Sequence, residues 1–369
     1  MKKLLFITLA AIMALSVSLI GCTGPTPPEE DIWDSEIALT FHPTISPFAS
    51  IVTEVINPWV AAVNALSGTD GGSFNVTIVS PGDAPFDAAS SLSALSIGTT
   101  DMGMLSPETF HLGGVGYLPF EFDSIEECAY VTYNLWTEDD GVWDENGQLD
   151  GVKILISAPL WGSQLWTTAN GGQVTVAADM AGLKVRTDAQ AVESATIQAL
   201  GATPIYIGVS ELSGQLETNA IQGCFFTYSG IGGAADLGGV TNYTTELNMI
   251  YRPYSIAMCK ASWDALPTDA KTALATVCGA EKSMEYAALH IAAEAEDREA
   301  TEDGPCFFPG PTCYPEYGRP IYVADTSTFE AATADVADDW AAYMTDTLGF
   351  NGAGILTRIA ALEAAYAAL

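Results

Sequence analysis

Hydrophobic and polar positions beyond residue 36 follow two periods. The segments 37–41, 74–79 and 101–105 alternate in the manner of β-strands. The segments 48–66 and 88–97 carry apolar residues three and four positions apart, which predicts helices, and Pro58 should kink or break the first. The order strand, helix, strand, helix, strand predicts a mostly parallel sheet with helical crossovers.

The same kind of pattern resumes after Gly151 and predicts a second α/β lobe. Its elements are strands at 152–156, 203–207 and 220–226, a segment 179–186 that leads into another strand, and helices at 189–200 and 211–217. A strand is expected at 254–259, a long helical region from 262 toward 300, and helices at 329–348 and 354–369. The fold class predicted from these elements is α/β.

The first residues predict export. Lys2 and Lys3 precede an uncharged run from Leu4 to Ile20, which is typical of a signal peptide, with an uncleaved membrane anchor as the alternative. Leu19–Cys22 resembles the lipobox of bacterial lipoproteins, which implies cleavage after residue 21 and lipidation of Cys22. Residues 22–35, rich in proline and acids, are expected to form an extended tether to an extracytoplasmic domain.

Charge and composition limit the kinds of molecule that this chain is expected to bind. The chain has 12 Lys and Arg against 46 Asp and Glu, a net charge of −34, so binding to nucleic acid or to anionic lipid headgroups is not expected. Hydrophobic residues make up 49% of the chain, which excludes extensive disorder.

Six cysteines remain after Cys22, an even number in a chain expected in an oxidising compartment. Cys306 and Cys313 flank a Pro/Gly turn and are predicted to form a disulfide. Cys128, Cys224, Cys259 and Cys278 allow three further pairings, which the sequence leaves open.

Motifs of known catalytic or cofactor sites are missing from the sequence. It has no Gly-x-Gly-x-x-Gly, Walker-type, Gly-x-Ser-x-Gly or His-Glu-x-x-His motif. Its three histidines are isolated and no Cys-x2-Cys pair occurs, so neither a metal nor a cofactor is predicted. A binding protein is therefore expected rather than an enzyme.

Positive charges are scarce and for that reason informative. Between Lys3 and Arg252 the chain contains only Lys153, Lys184 and Arg186. A guanidinium grips a carboxylate through two parallel hydrogen bonds, which a lysine cannot do. Arg186 is the candidate anchor for an anionic ligand, and an ordinary surface ion pair is the alternative.

Four motifs, in order along the chain, resemble those of the solute receptors of tripartite ATP-independent periplasmic (TRAP) transporters, the DctP type. They are Gly-x-x-Asp-Met-Gly at 98–103, Leu-Pro-Phe at 118–120, Gly-Leu-Lys-x-Arg at 182–186 with Leu-Gly-Ala-x-Pro at 200–204, and Ser-Trp-Asp-Ala-Leu-Pro at 262–267. The resemblance covers about residues 36–300.

The resemblance implies two lobes, joined by crossing strands and a long helix, that close on a small organic acid and then dock on a membrane permease. It places lobe 1 at 36–158, lobe 2 at 159–249, and a crossing strand, the long helix and C-terminal helices, partly returning to lobe 1, at 250–369. It also implies that Arg186 holds the substrate carboxylate.

Two departures from relatives narrow the ligand. The Glu-Trp pair of metal-assisted 2-oxo acid receptors is replaced near Phe225–Phe226, which argues against a metal in the cleft. The second arginine of sialic-acid receptors is missing, which argues against sugar acids.

Aromatic residues dominate the candidate cleft. We expect its walls to include Trp161, Trp166, Phe225, Phe226 and Tyr228, with Gln164 as a neutral hydrogen-bonding group, although Trp166 and Phe225 fit the core equally well. Ser106 and Phe48 should face the cleft from lobe 1, beyond the carboxyl ends of its strands.

The ligand predicted from these features is an apolar or aromatic monocarboxylate or a 2-oxo acid. The alternatives are a binding lipoprotein of an ABC importer or a sensor, and an extracytoplasmic enzyme.

Overall fold

The computed structural model describes residues 32–45, 49, 51–79, 86–137, 148–160, 162–188, 191–231, 237–303 and 318–369. The strands of this part of the chain are β1 Glu36–His42, β2 Ser73–Ile78, β3 Met102–Leu105, β4 Val152–Pro159, β5 Gln164–Thr167, β6 Lys184–Thr187, β7 Thr203–Tyr206, β8 Gly223–Phe226, β9 Tyr243–Glu246, β10 Pro253–Cys259 and β11 Ile321–Val323.

The α-helices of the same ranges are α1 Asn57–Asn64, α2 Ser91–Ser96, α3 Ile125–Thr137, α4 Ala191–Ala199, α5 Val209–Glu217, α6 Leu237–Val240, α7 Lys260–Asp264, α8 Thr268–Ala275, α9 Ala280–Asp303, α10 Thr326–Thr333, α11 Val336–Asp346 and α12 Gly352–Tyr366. A π-helix covers Ile51–Ile56, and 3-10 turns cover Ala88–Ser90, Pro107–Thr109, His111–Tyr117, Ala177–Met180 and Tyr228–Ile231.

Two sheets define two lobes. The first sheet has the order β2-β1-β3-β10-β4 and the second has the order β11-β9-β5-β8-β6-β7. Both are mixed: β1 pairs in parallel with β2 and β3, whereas β10 runs antiparallel to its two neighbours. The α/β class and the two lobes are as predicted, but the sheets contain more antiparallel pairing than the strand–helix order indicates.

Two of the passages of the chain between the sheets lie side by side. One leads from β4 to β5 and the other from β9 to β10. Leu160 donates its amide to the carbonyl of Arg252 at 2.8 Å, and Ser163 donates to Ile250 at 2.7 Å. Because both passages are hydrogen-bonded to each other, the lobes are joined by a two-stranded connection and not by a single loose linker.

The long helix α9 links the lobes a second time. Its 24 residues extend about 36 Å at the usual rise per residue. It packs on α3, β4 and the π-helix of the first lobe and on the 3-10 turn Tyr228–Ile231 of the second. Glu294 on this helix accepts hydrogen bonds from the amides of Tyr228 at 2.9 Å and Ser229 at 3.3 Å, which ties the helix to the end of β8.

Proline and glycine set several boundaries. The helix predicted at 48–66 is divided near Pro58, since wide π-helical turns end at Ile56 and α1 begins at Asn57 with the proline in its first turn. The region predicted as one helix from 262 toward 300 is three helices, α7 to α9, with Pro267 before α8 and Gly279, at φ +108°, before α9.

None of the helices in the described ranges has the length and apolar composition needed to cross a membrane.

Candidate functional site

Arg186 lies near the carboxyl end of β6, inside the second sheet. Its neighbours in register are Ile205 on β7 and Cys224 on β8. The residue is only 5% exposed, and its Nε donates to the carbonyl of Ile207 at 3.0 Å. Within the described residues, no carboxylate lies at ion-pair distance from its guanidinium. A buried positive charge without a paired carboxylate is expected in a site that binds an anion.

Two glycines explain how the chain delivers Arg186 to this place. Gly182 and Gly201 have φ angles of +81° and +77°, in the left-handed region that glycine tolerates best. The amide of Gly182 donates to the carbonyl of Gly201 at 2.9 Å, and Thr203 donates to Leu183 at 2.7 Å. The two motifs at 182–186 and 200–204 therefore form one unit that starts β6 and β7 in register.

A second buried arginine lies at the connection between the lobes. Arg252 precedes β10 and makes ion pairs with Glu193 at 2.5 Å and Asp188 at 3.3 Å. It also donates to the Ser163 hydroxyl at 2.6 Å and stacks 5.6 Å from the Tyr117 ring, whose own hydroxyl donates to Asp188 at 2.9 Å. Its charge is thus matched by two carboxylates.

Burial shapes the ionisation of this cluster. Burial alone would lower the pKa of Arg252, but Glu193 and Asp188 outweigh it and raise that pKa. Burial, then the charge of Asp188, raises the pKa of Glu193 against the lowering effect of Arg252 and Arg186. The buried carboxylates of this cluster can therefore be ionised only because the guanidinium groups compensate their charge.

Glu108 extends the cluster into the first lobe. It lies in the 3-10 turn that follows β3, and Ser106 precedes it. Burial raises the pKa of Glu108, and the negative charge of Asp188 adds to the effect. The Ser106 hydroxyl is fully buried without a well-formed hydrogen bond to the described residues and lies beside Glu108 and Tyr254. The carboxyl ends of β3 and β6 therefore face one another across the junction of the lobes.

Comparison of the chain with models of known protein families identifies the family to which it belongs. The model of the bacterial extracellular solute-binding protein family 7, DctP, matches residues 50–306, which is well over half of the chain. The chain belongs to the DctP family. DctP proteins are receptors of TRAP transporters, and the family is one of solute-binding proteins and not of enzymes.

One curated relative within the DctP family is the C4-dicarboxylate-binding periplasmic protein of Rhodobacter capsulatus, which is 26% identical over 197 residues. That match covers 52% of this chain and 56% of the relative, so the chain spans little more than half of its length.

Solved structures agree over a greater length. A TRAP solute-binding protein of Rhodoferax ferrireducens T118, solved with copurified benzoate, has a TM-score of 0.75 at 20% identity and covers 90% of this chain and 98% of its own. A marine-metagenome TRAP protein specific for aromatic acids, solved with 3-hydroxybenzoate, has a TM-score of 0.74 at 19% identity and covers 90% and 99%. At these identities the likeness shows the two-lobed fold.

Gln164 was predicted to line the cleft, but its side-chain amide is fully hydrogen-bonded to the chain segments that join the lobes. Its Nε2 donates to the Gly162 carbonyl at 2.7 Å and to Asn248 Oδ1 at 2.6 Å, while its Oε1 accepts from the Leu247 amide at 2.8 Å. The expectation of a ligand hydrogen bond is therefore corrected, since Gln164 has the role of holding the two passages together.

Three predicted cleft rings belong to the core. Trp166 and Phe225 have no exposed surface and Tyr228 only 1%. Trp166 donates to the Phe226 carbonyl at 3.2 Å, and Tyr228 donates to Glu246 at 3.1 Å. These three side chains therefore pack in the core, which for Trp166 and Phe225 is the alternative that the sequence left open. Phe226, at the end of β8, is the partly exposed aromatic of the group.

Several predicted residues lie outside the described residues. These are Phe48, Trp161, Cys22 and the predicted disulfide partners Cys306 and Cys313. The other four cysteines, Cys128, Cys224, Cys259 and Cys278, are free thiols in the structure, so the pairings that their even number allowed do not form.

The residues that the sequence analysis overlooked are Arg252 with its partners and Glu108. Arg252 stands out by the same scarcity of positive charge that singled out Arg186. Glu193 lies on the buried face of α4 beside Val192, Thr196 and Ile197, an acid where that face is otherwise uncharged.

Neither of the two best-formed cavities is lined by Arg186. One of about 530 Å³ lies between Pro119–Asp123 and α10, and another of about 210 Å³ lies beside Glu108, α4 and α11. No group of three His, Cys, Asp or Glu side chains in the described part of the chain is placed to hold a metal ion.

Proposed function

We propose that this protein is the extracytoplasmic receptor of a TRAP transporter and that it captures a small organic acid between its lobes. The observation that carries the proposal is Arg186, a buried arginine near the end of β6 without an ion-pair partner in the described residues. The guanidinium offers the geometry that a carboxylate needs.

We infer an apolar or aromatic monocarboxylate, or a 2-oxo acid, as the ligand class. The partly exposed Phe226 is the last residue of β8, which pairs with the strand of Arg186 in the second sheet. Two structures with the same fold were solved with benzoate and 3-hydroxybenzoate, which supports this class. The name of the R. capsulatus relative, C4-dicarboxylate-binding, favours a dicarboxylate instead. These are the two classes to be tested against each other.

A thermal-shift screen with benzoate, 3-hydroxybenzoate, pyruvate, succinate and malate separates these classes. We expect stabilisation by a monocarboxylate. The Arg186→Ala variant should lose that stabilisation, while Lys184→Ala, which removes an exposed cation from the same strand, should keep it. Stabilisation by succinate or malate alone would overturn the ligand class, and a response retained by Arg186→Ala would overturn the anchor.

Anchoring and delivery follow from the same proposal. Cys22 would carry the lipid, and the residues between it and Trp33 would form the tether that keeps the receptor near its permease. The tether is shorter than the 22–35 expected from the sequence, because Trp33 is buried against Phe74 in the first lobe. Metabolic labelling with a radioactive fatty acid should mark the parent chain and not Cys22→Ser. Uptake of the identified acid should require both this protein and the permease subunits, and uptake independent of the permease would contradict the transporter assignment.

A further inference from the structure

The cavity of about 530 Å³ has walls from both lobes. One wall is the segment Pro119–Asp123 of the first lobe, and the other is α10. The second lobe carries α10, which packs on α4 and on the 3-10 turn before β6. Leu247, Asn248 and Tyr251, from the passage between β9 and β10, line the space between the two walls. The amide of Phe120 donates to the carbonyl of Met249 at 2.9 Å, so the first wall is fastened to this passage.

The charged residues along this cavity are all negative. Glu121 and Asp123 line one wall and Glu330 lines the other, and no lysine, arginine or histidine is among the described lining residues. Within the described part of the chain, none of the three acids makes an ion pair. Burial, and then the charge of Glu127, raises the pKa of Glu121, and no cation contributes to that shift. Both walls therefore carry negative charge that the described residues do not compensate.

A buried hydroxyl lies at the same cavity. Tyr251 is only 7% exposed and lines the cavity, yet its hydroxyl makes no hydrogen bond with the described residues. Buried tyrosine hydroxyls usually have a partner. Burial raises the pKa of Tyr251, and negative charge around the start of α3, including that of Asp123, adds to the effect, so the hydroxyl stays neutral. Its oxygen is available to accept a hydrogen bond from a donor in the cavity.

An organic amine matches this combination of groups better than a metal ion does. No three His, Cys, Asp or Glu side chains of the described residues are placed to hold a metal ion. The volume of about 530 Å³ is in the range of small-molecule sites, about 300–1,000 Å³. An ammonium group donates to carboxylates and to a phenol oxygen alike. Phe120, Leu247 and Ala337 supply apolar lining for a hydrocarbon chain.

We propose that this cavity binds a small aliphatic diamine, with one ammonium group at Glu121 and Asp123 and the other at Glu330. Tyr251 accepts a hydrogen bond from the first ammonium group, and the hydrocarbon chain spans the space between the two walls. A diamine compensates the negative charge of both walls at once, which a monoamine cannot do. The site takes a cation and does not include Arg186, so it is independent of the acid-binding function proposed above.

Titration calorimetry with putrescine as the probe tests the site on the parent chain. At pH 8 its amino groups are protonated, as a lysine is. In about 0.15 M NaCl, where the screening length is about 8 Å, we expect saturable binding of one putrescine per chain. Butylamine, which has a single ammonium group, should bind at least about tenfold more weakly, and butanediol should not bind.

Three results on the parent chain would overturn the inference. Butylamine that binds as tightly as putrescine would contradict the pairing of two ammonium groups with two walls. Putrescine binding that does not saturate at one per chain would be general attraction to a net charge of −34. Saturable binding of calcium chloride without binding of putrescine would mean a metal site instead.

Two variants of nearly unchanged shape locate the diamine. Tyr251→Phe removes only the hydroxyl and Glu121→Gln only the charge, and each should weaken putrescine binding at least about tenfold. Asp335→Asn is the matched control, because it removes an exposed acid between α10 and α11 that does not line the cavity. Its Kd for putrescine should equal that of the parent chain.

The same Kd for putrescine in Tyr251→Phe, Glu121→Gln and the parent chain would place the amine elsewhere and overturn the inference. The comparison of putrescine with butylamine uses the parent chain alone, so it decides the matter even where a variant does not fold. Putrescine binding by a chain that binds no acid of the thermal-shift screen would overturn the proposed function and leave the diamine site standing.

Discussion

Arg186 and Arg252 are buried to nearly the same extent but differ in the partners that the described residues give them. Arg186 is 5% exposed and Arg252 is 6% exposed. Arg252 has two carboxylates, a hydroxyl, a carbonyl and a tyrosine ring around its guanidinium. Among the described residues, the guanidinium of Arg186 has one hydrogen-bond acceptor, the carbonyl of Ile207. The described residues therefore supply carboxylates to Arg252 and none to Arg186, which is consistent with the proposed role of Arg186 as the ligand anchor.

Under the proposed function, this difference separates a structural charge from a ligand-binding one. A buried charge that is fully paired joins elements together, and Arg252 joins the lobe connection to β6 and α4. A buried charge with little compensation costs stability unless a ligand completes it, so its presence indicates binding. In this molecule the two lie close enough to influence the same acid, Glu193.

Removal of Arg252 should have the largest effect on stability. Arg252→Ala leaves Asp188 and Glu193 buried without their cation, and we expect a loss of about 3–5 kcal/mol in the free energy of unfolding. Urea denaturation at pH 7 measures it. A triple variant that also carries Asp188→Asn and Glu193→Gln should recover much of the loss, because no uncompensated charge remains. A loss below about 1 kcal/mol in the single variant would contradict the structural role.

Removal of Arg186 should act mainly on binding. Truncating one partner of a buried charge pair costs about 2–5 kcal/mol, so the Kd of the acid identified by the screen should rise at least about 30-fold in Arg186→Ala. Arg186→Lys should recover only part of the affinity, because it keeps the charge without the two-pronged geometry. Titration calorimetry with Lys184→Ala as control tests this, and an unfolding loss as large as that of Arg252→Ala would erase the contrast between the two arginines.

Sequence patterns were sufficient for much of the fold because they are local. Strands β1 to β3 and β6 to β8 were predicted within a few residues, and the glycines of the motifs at 182–186 and 200–204 correspond to left-handed turns. Helix α3 was overlooked although it packs on the long helix α9. Strands β5, β9 and β11 were overlooked as well.

The site was less accessible to sequence reasoning because its contacts are distant in the chain. Glu193 and Arg252 are 59 positions apart, and 46 acids offer no way to single out one of them. Alternation also could not decide which face of a strand is the core, so Trp166 and Phe225 remained ambiguous until the sheets were packed. Scarcity of positive charge is the signal that singled out Arg186, and its role as the ligand anchor stays a prediction.

A cluster of acids without arginine sharpens the comparison. Burial, with Glu121, Glu127 and Asp123, raises the pKa of Glu363 to about 7, and no cation contributes to that shift. The folded state therefore favours the protonated form of Glu363. The contribution of this proton to the stability of the fold is complete below the ordinary pKa of a glutamate and is lost as pH rises toward about 7. Glu363→Gln should be more stable than the parent at pH 8, by on the order of 1 kcal/mol after solvent screening, and equal to it near pH 4. Thermal unfolding across this range checks the sign, and a parent that gains stability toward pH 8 relative to the variant would contradict it.

Removal of an exposed ion pair should have the smallest effect on the free energy of unfolding. Lys260 contacts both oxygens of Asp264 at 2.6 Å on α7, yet both side chains are about half exposed. Lys260→Ala should cost no more than about 0.5 kcal/mol in urea denaturation, because water already solvates the two charges. The difference should disappear in about 1 M salt, where the screening length is only about 3 Å. The loss in Arg252→Ala should persist at that salt concentration, since burial shields its ion pairs from screening. Equal salt sensitivity of the two variants would mean that burial does not distinguish the pairs, and the contrast between partnered and unpartnered arginines would lose its physical basis.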